Sequence, residues 1–175
     1  MGRTNNARSF TLMELAVATT IMVLIAMIAA PKLFNNRDHR LPRATHELAL
    51  HIKMARDLAM ATRRRTWVDF DPSSETYDVY IEHPSQPGRD NRIYVEHPVT
   101  GQDFRVVLDQ GVLEDVRIDS ASFLERSEVE FDRLGSPHNG LGIPLLNEDG
   151  QVTLRQEART RQVRVTPVTG GVREE

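Results

Sequence analysis

The sequence predicts an α+β protein in which a long N-terminal helix packs against antiparallel β-sheet. Three observations predict it. Residues 12–34 are almost wholly apolar, with Glu14 and Lys32 the only charges. From Pro42 to Arg65 apolar residues recur at three- and four-residue steps, the period of an amphipathic helix. From Trp67 onward the period shortens to two, and Gly-, Pro-, Asn- and Asp-rich turns separate short alternating runs. The chain therefore divides into residues 1–9, 10–34, 35–66 and 67–175.

The apolar segment comes first. Between Leu15 and Ala30, 14 of 16 residues are Ala, Val, Ile, Leu or Met, Thr19 and Thr20 being the exceptions. A helix over 12–34 is about 34 Å long, enough for a bilayer core of about 30 Å. A secretory signal peptide is the competing reading, since Arg3 and Arg8 form a basic leader. The run is long for that, and its small-residue exit, Ala29-Ala30, is followed at once by Pro31. Glu14 also argues against it. A carboxylate in hydrocarbon costs several kcal/mol unless it is paired, so an acid at the edge of such a run reads as functional. Pro31 lacks an amide hydrogen and should kink the helix rather than end it. Charge bias dissents on orientation, because Lys32, Arg37, Arg40 and Arg43 outnumber Arg3 and Arg8.

Ser9-Phe10-Thr11-Leu12-Met13-Glu14-Leu15, followed by the apolar run and Pro31, closely resembles the prepilin N-terminal signature of type IV pilins and type II secretion pseudopilins. The resemblance implies a cytoplasmic leader, cleavage by a prepilin peptidase between Ser9 and Phe10, and N-methylation of the new Phe10 terminus. Glycine is usual where Ser9 stands. The resemblance also places the N-terminus in the cytoplasm and the remainder in the periplasm, on a single inner-membrane span. In that setting Glu14 pairs with the Phe10 amine of a neighbouring subunit, which offsets its desolvation and sets axial register.

Beyond the membrane segment, Leu48, Ile52, Ala55 and Ala59 form an apolar stripe, widened by Met54, Leu58 and Ala61, with His46, Lys53 and Asp57 opposite. This reads as the outer half of the long helix. Arg63-Arg64-Arg65 ends it, and cations there complement the helix dipole and face water; a nucleic-acid contact is the alternative. The 175-residue chain has 22 basic and 25 acidic residues, a net charge of −3, so no general nucleic-acid affinity is expected. The charge is nonetheless partitioned, eight basic to three acidic residues over 34–66 and eleven to twenty-one over 67–175. A basic helix beside an acidic sheet domain would steer contacts between subunits.

Strands are predicted at Trp67–Asp71, Thr76–Glu82, Arg92–His97, Phe104–Leu108, Val112–Ile118, Glu128–Leu134, Gly142–Leu146, Val152–Gln156 and Gln162–Val168. Pro72-Ser73-Ser74-Glu75 turns the first hairpin, with Tyr77, Val79 and Ile81 on one face. Short strands and tight turns argue antiparallel sheet rather than βαβ units. Glu130-Phe131 leading to Gly135, and a late Val-Arg-Val-Thr-Pro strand running into Thr169-Gly170-Gly171-Val172, resemble the GspH/FimT-type minor pseudopilins. That resemblance implies partners among other pilins or pseudopilins, an inner-membrane assembly platform and membrane lipid, and no cofactor. The FimT branch binds DNA through basic residues near the terminal turn. Here Arg173 is present, but Gly171 stands where a second arginine would, and Glu174-Glu175 repel phosphate.

Catalytic patterns are not found: there is no Gly-x-Ser-x-Gly, Walker loop, Gly-x-Gly-x-x-Gly or His-Glu-x-x-His. The absence of cysteine excludes disulfides, thiolate zinc and cysteine nucleophiles. One oddity is an echo, Tyr80-Ile81-Glu82-His83-Pro84 and Tyr94-Val95-Glu96-His97-Pro98. Two paired Glu-His sets on adjacent strands would make a metal site; a proline that stops a strand is the plainer account. The expected function is that of a non-catalytic, pilin-like assembly subunit of a secretion pseudopilus or a type IV pilus. Alternatives are a DNA-binding minor pilin using Arg63, Arg64, Arg65 or Arg173, and a membrane-tethered periplasmic enzyme.

Overall fold

The computed structural model describes residues 11–34 and 39–175, the side chains of 28–34 excepted. The chain forms two units, one within residues 1–38 and one over 39–175. In the first, helix α1 (Leu12–Phe34) starts at Thr11, whose hydroxyl accepts the Glu14 N–H at 3.2 Å. The Thr19 and Thr20 hydroxyls donate back to carbonyls of Leu15 and Ala16, so the two polar side chains of the apolar run are satisfied inside the helix. Its aliphatic side chains are exposed on every side, from Leu12 at 89% to Met27 at 69%. Among the described residues no helix is long and apolar enough to cross a membrane, so the membrane span expected over 10–34 is not shown by them. The helix continues through position 31.

In the second unit, helix α2 (Arg40–Thr62) carries Pro42 in its first turn, where a missing amide hydrogen is harmless. Its buried stripe includes Leu41, Leu48 and Ile52, with Ala44, Ala49, Ala55 and Ala59 letting the helix approach the sheets closely. Arg63 ends it in the left-handed conformation, at φ 53°.

All strand pairing is antiparallel. The first sheet contains β1 (Thr66–Asp71), β2 (Thr76–Ile81), β3 (Ile93–Tyr94), β4 (Arg105–Val107), β6 (Glu128–Phe131) and β7 (Pro137–Asn139). Its order is β3-β2-β1-β6-β7, with β4 also on β2. The second sheet contains β5 (Arg117–Ser122), β8 (Gly150–Gln156), β9 (Arg159–Val165) and β10 (Val172–Glu174), in the order β10-β9-β8-β5. Helix α2 packs on strands of both sheets. The core joins Val68, Phe70, Tyr77, Val79 and Phe131 of the first sheet to Val152, Leu154, Val163 and Val165 of the second. Phe70 and Phe123 stack with centroids 5.9 Å apart.

The long helix is seen as α1 and α2, and residues 35–38, on which its continuity depends, lie outside the described set. Several sequence expectations are corrected. The strand expected at Val112–Ile118 is a 3-10 turn over Gly111–Leu113, and β5 begins only at Arg117. The Asp109 carboxylate accepts the Asp115 N–H at 2.8 Å and Arg40 grips Glu114 and Asp115, which holds this segment as a loop. Gly142–Leu146 forms only a bridge at Pro144, because Asn139 Oδ1 captures the N–H groups of Leu141 and Ile143. Arg92–His97 shrinks to Ile93–Tyr94, and β10 was not expected at all.

Candidate assembly surface

Ser9 and Phe10, the expected cleavage and methylation positions, lie outside the described residues. Glu14 is the third residue of α1, exposed, and its backbone N–H is held by the Thr11 hydroxyl and carbonyl at 3.2 and 3.1 Å. Thr11-Leu12-Met13-Glu14 is thus a Thr-x-x-Glu capping pattern, and an acid in the first turn also complements the helix dipole. Among the described residues no cation meets its carboxylate. The capping role was legible in the four residues but not drawn from them.

In the second unit, the arginines after α2 divide. Arg63 is exposed, whereas Arg65 turns onto the outer face of the first sheet. There it bonds Glu82 Oε1 at 2.7 Å and Glu130 Oε1 at 3.4 Å, with its guanidinium 5.5 Å from the Trp67 ring. Trp67 Nε1 donates to Glu130 Oε2 at 3.1 Å. The expectation that this run simply faces water is therefore corrected for Arg65. Arg173 lies on β10, beside Glu174, which reaches His46 near the start of α2. His46 and Arg63 are 17 residues apart, about 25 Å along the helix, so Arg173 and the 63–65 run do not form one basic face.

Arg65 belongs to a larger network. Asp69, Asp78, Glu82, Glu128 and Glu130 all sit on outward positions of the first sheet or at its end, and Glu82, Glu128 and Glu130 are buried. The 83–92 segment crosses this face. Arg92 bonds Asp69 at 2.8 Å and Glu128, and lies 4.1 Å over the Tyr80 ring; Arg89 bonds Glu128 at 2.8 Å. Arg105 pairs with Asp78 at 2.7 Å and donates to the Tyr94 hydroxyl at 2.9 Å. Each buried acid thus has a guanidinium partner, which buried charge requires. Burial pushes the Glu82 carboxyl up, but the hydrogen bonds and charge of Arg65 outweigh it and hold the group below its ordinary range. Acids alternating with Trp67 and Tyr80 were the sequence signal for this face. The arginines that cover them are distant in sequence, so the burial of this face has no local signature.

The Tyr-x-Glu-His-Pro echo has a structural use. Tyr80 and Tyr94 are paired in register and hydrogen-bonded through their hydroxyls at 3.0 Å. Each histidine then caps the following turn, His83 Nδ1 accepting the Ser85 N–H and His97 Nδ1 the Val99 N–H, both at 3.2 Å. Glu82 goes to Arg65, and Glu96 faces Asp103 across a bridge. Among the described residues no group of three His, Asp or Glu side chains could hold a metal ion. His97 instead packs on Phe104 and approaches His51, whose Nδ1 lies 2.7 Å from the buried Tyr77 hydroxyl. Burial holds His51 below its ordinary pKa; Glu47 opposes and His97 reinforces the shift.

A helix laid across two small antiparallel sheets is a pilin-like arrangement, and in this the chain has the fold of the minor pseudopilins. It is similar to the minor pseudopilin EpsH from the type II secretion system of Vibrio cholerae, with a TM-score of 0.55 at 6% identity over 78% of this chain and 96% of that one. A second EpsH structure gives 0.53 at 7% identity over 78% and 95%. The type IV minor pilin FimU of Pseudomonas aeruginosa PAO1 gives 0.51 at 12% identity over 79% and 90%. No family model and no curated protein matches the sequence.

Proposed function

We propose that the chain is a non-catalytic, pilin-like minor subunit, cut by a prepilin peptidase between Ser9 and Phe10 and N-methylated at Phe10. Residues 10–34 anchor it in the inner membrane, the 39–175 unit stands in the periplasm, and an inner-membrane platform assembles it with other pilins or pseudopilins. The filament is a secretion pseudopilus or a type IV pilus. One observation carries the reading: the Phe10–Glu14 signature precedes a helix with aliphatic side chains on every face, and both precede a pilin-like unit. A helix apolar all round needs lipid or other helices around it. Glu14 supplies the pairing group, since a neighbour's terminal amine repays its desolvation.

Mass spectrometry of the mature N-terminus from native membranes tests this directly. A chain beginning at N-methylated Phe10 is the expected result; one beginning at Met1, or beyond Ala29, overturns the reading. Glu14→Leu is expected to insert normally yet disappear from the sheared filament fraction. Normal incorporation of that variant would remove the pairing role.

A further inference from the structure

The 39–175 unit exposes aliphatic side chains at both ends of α2, and the charge around them is opposite in sign. At the end beyond Thr62, Leu134 is 81% exposed and Met60 37% exposed, with Arg63 and Arg133 forming one groove with them. The β6–β7 turn reaches the helix because Gly135 has no side chain: a Cβ there would stand 2.9 Å from Met60 Sδ. Cations are in surplus here. Arg63 is exposed, Arg133 lies 3.6 Å from Glu82, which Arg65 already holds at 2.7 Å, and the Asp132 carboxylate of the same turn is engaged by the Leu134 and Ser136 N–H groups, both at 2.8 Å.

At the other end, the turn over 111–113 presents Val112, 62% exposed. Beside it stand Glu114 and Asp115, with side chains 61% and 44% exposed. Arg40 is shared between those two acids at 3.4 and 3.3 Å, while Asp109 and Arg117 neutralise each other at 3.3 Å. Carboxylate is in surplus. Residues 40 and 60 lie about 30 Å apart along the helix, so the two ends of one copy cannot meet.

We propose that the 39–175 unit stacks head to tail on a second copy of itself, the Met60–Leu134 groove receiving the Val112 turn. Arg63 and Arg133 of one copy then face Glu114 and Asp115 of the next. Two different patches make a heterologous contact, which continues into a row or a ring rather than closing as a two-fold dimer. Opposite charge at the two ends steers the encounter and sets its polarity. The inference rests on the filament-subunit reading and names one neighbour within it.

The chain lacks cysteine, so introduced thiols report cleanly. Two differently tagged full-length versions, one carrying Leu134→Cys and the other Val112→Cys, are co-expressed in native cells, and sheared filaments are oxidised. A mixed-tag disulfide product is expected, well above that of Leu134→Cys with the exposed control Ser85→Cys. Arg63→Glu with Arg133→Glu in the first copy should lower the yield roughly five-fold, and Glu114→Arg with Asp115→Arg in the second should restore it. A yield equal to the control, or no restoration, overturns the stacking contact. If both versions enter the filament fraction in a Glu14-dependent way but do not cross-link, the contact alone falls. If neither enters it, the subunit reading falls and takes the contact with it.

Discussion

The two units use the same aliphatic residues in opposite ways. In α1, Leu12 is 89% and Leu24 56% exposed; in the 39–175 unit, Leu48 is 1% and Ile52 0% exposed. The second unit finishes its own core, with helix and both sheets contributing, whereas α1 is finished only locally, by its cap at Thr11 and the back-bonded Thr19 and Thr20. A helix of this kind stays in water only if something else covers it. A closed core and an uncovered apolar surface therefore fall in different stretches of chain.

Deleting residues 1–38 is the largest perturbation of that contrast. The remaining unit is expected to lose all membrane flotation and filament incorporation, while its thermal midpoint in calorimetry moves by less than about 3 °C. A fall of more than about 10 °C would show that α1 contributes to the core after all.

Trp67→Ala should act only on the second unit, and strongly. Trp67 is fully buried, carries the Glu130 hydrogen bond at 3.1 Å and lies under the Arg65 guanidinium. Removing a buried Trp costs about 3–5 kcal/mol, read from urea unfolding of the full chain in detergent. A cost below about 1 kcal/mol would mean that the outer face of the first sheet is surface rather than a second buried layer.

Much of this was legible in the sequence. Leu48, Ile52, Ala55 and Ala59 are all buried as their spacing predicts, and the β1–β2 hairpin turns at Pro72–Glu75 with Tyr77, Val79 and Ile81 inward. Period carries such elements because each residue's environment repeats along one helix or strand. What failed was set by partners distant in sequence. Arg40 reaches Glu114 and Asp115 from 74 and 75 residues away and Arg92 reaches Asp69 from 23, so neither the 111–115 loop nor the ion-paired face has a local signature. β10 is three residues long and shows no period at all. For the candidate assembly surface, the position of Glu14 was legible from its motif, whereas the exposed Leu134 and Val112 read as ordinary strand residues.

A smaller effect separates the units by pH. His51 is held below its ordinary value of 6.5 by burial against Tyr77, Phe104 and His97. The unfolded chain then binds the proton first, so this contribution is complete above about pH 6.5 and is lost as pH falls from there toward the folded value. The unfolding free energy of the 39–175 transition should decline over that window, and His51→Gln should flatten the decline. An unchanged slope in that variant would assign the titration to another group.

The smallest expected effect concerns the C-terminal end of α2. Arg63 closes it at φ 53°, where a side chain is crowded against the following backbone and glycine is not. Arg63→Gly removes that crowding but frees the unfolded chain, so the two terms partly cancel. A gain below about 1 kcal/mol in the 39–175 unit is the expected balance. The same change deletes a cation from the Met60–Leu134 groove and should therefore weaken cross-linking between copies while slightly raising stability. Opposite signs in the two measurements would separate Arg63 as a helix terminator from Arg63 as a contact residue. A loss of both would mean that the guanidinium, rather than the backbone, holds this end of the helix.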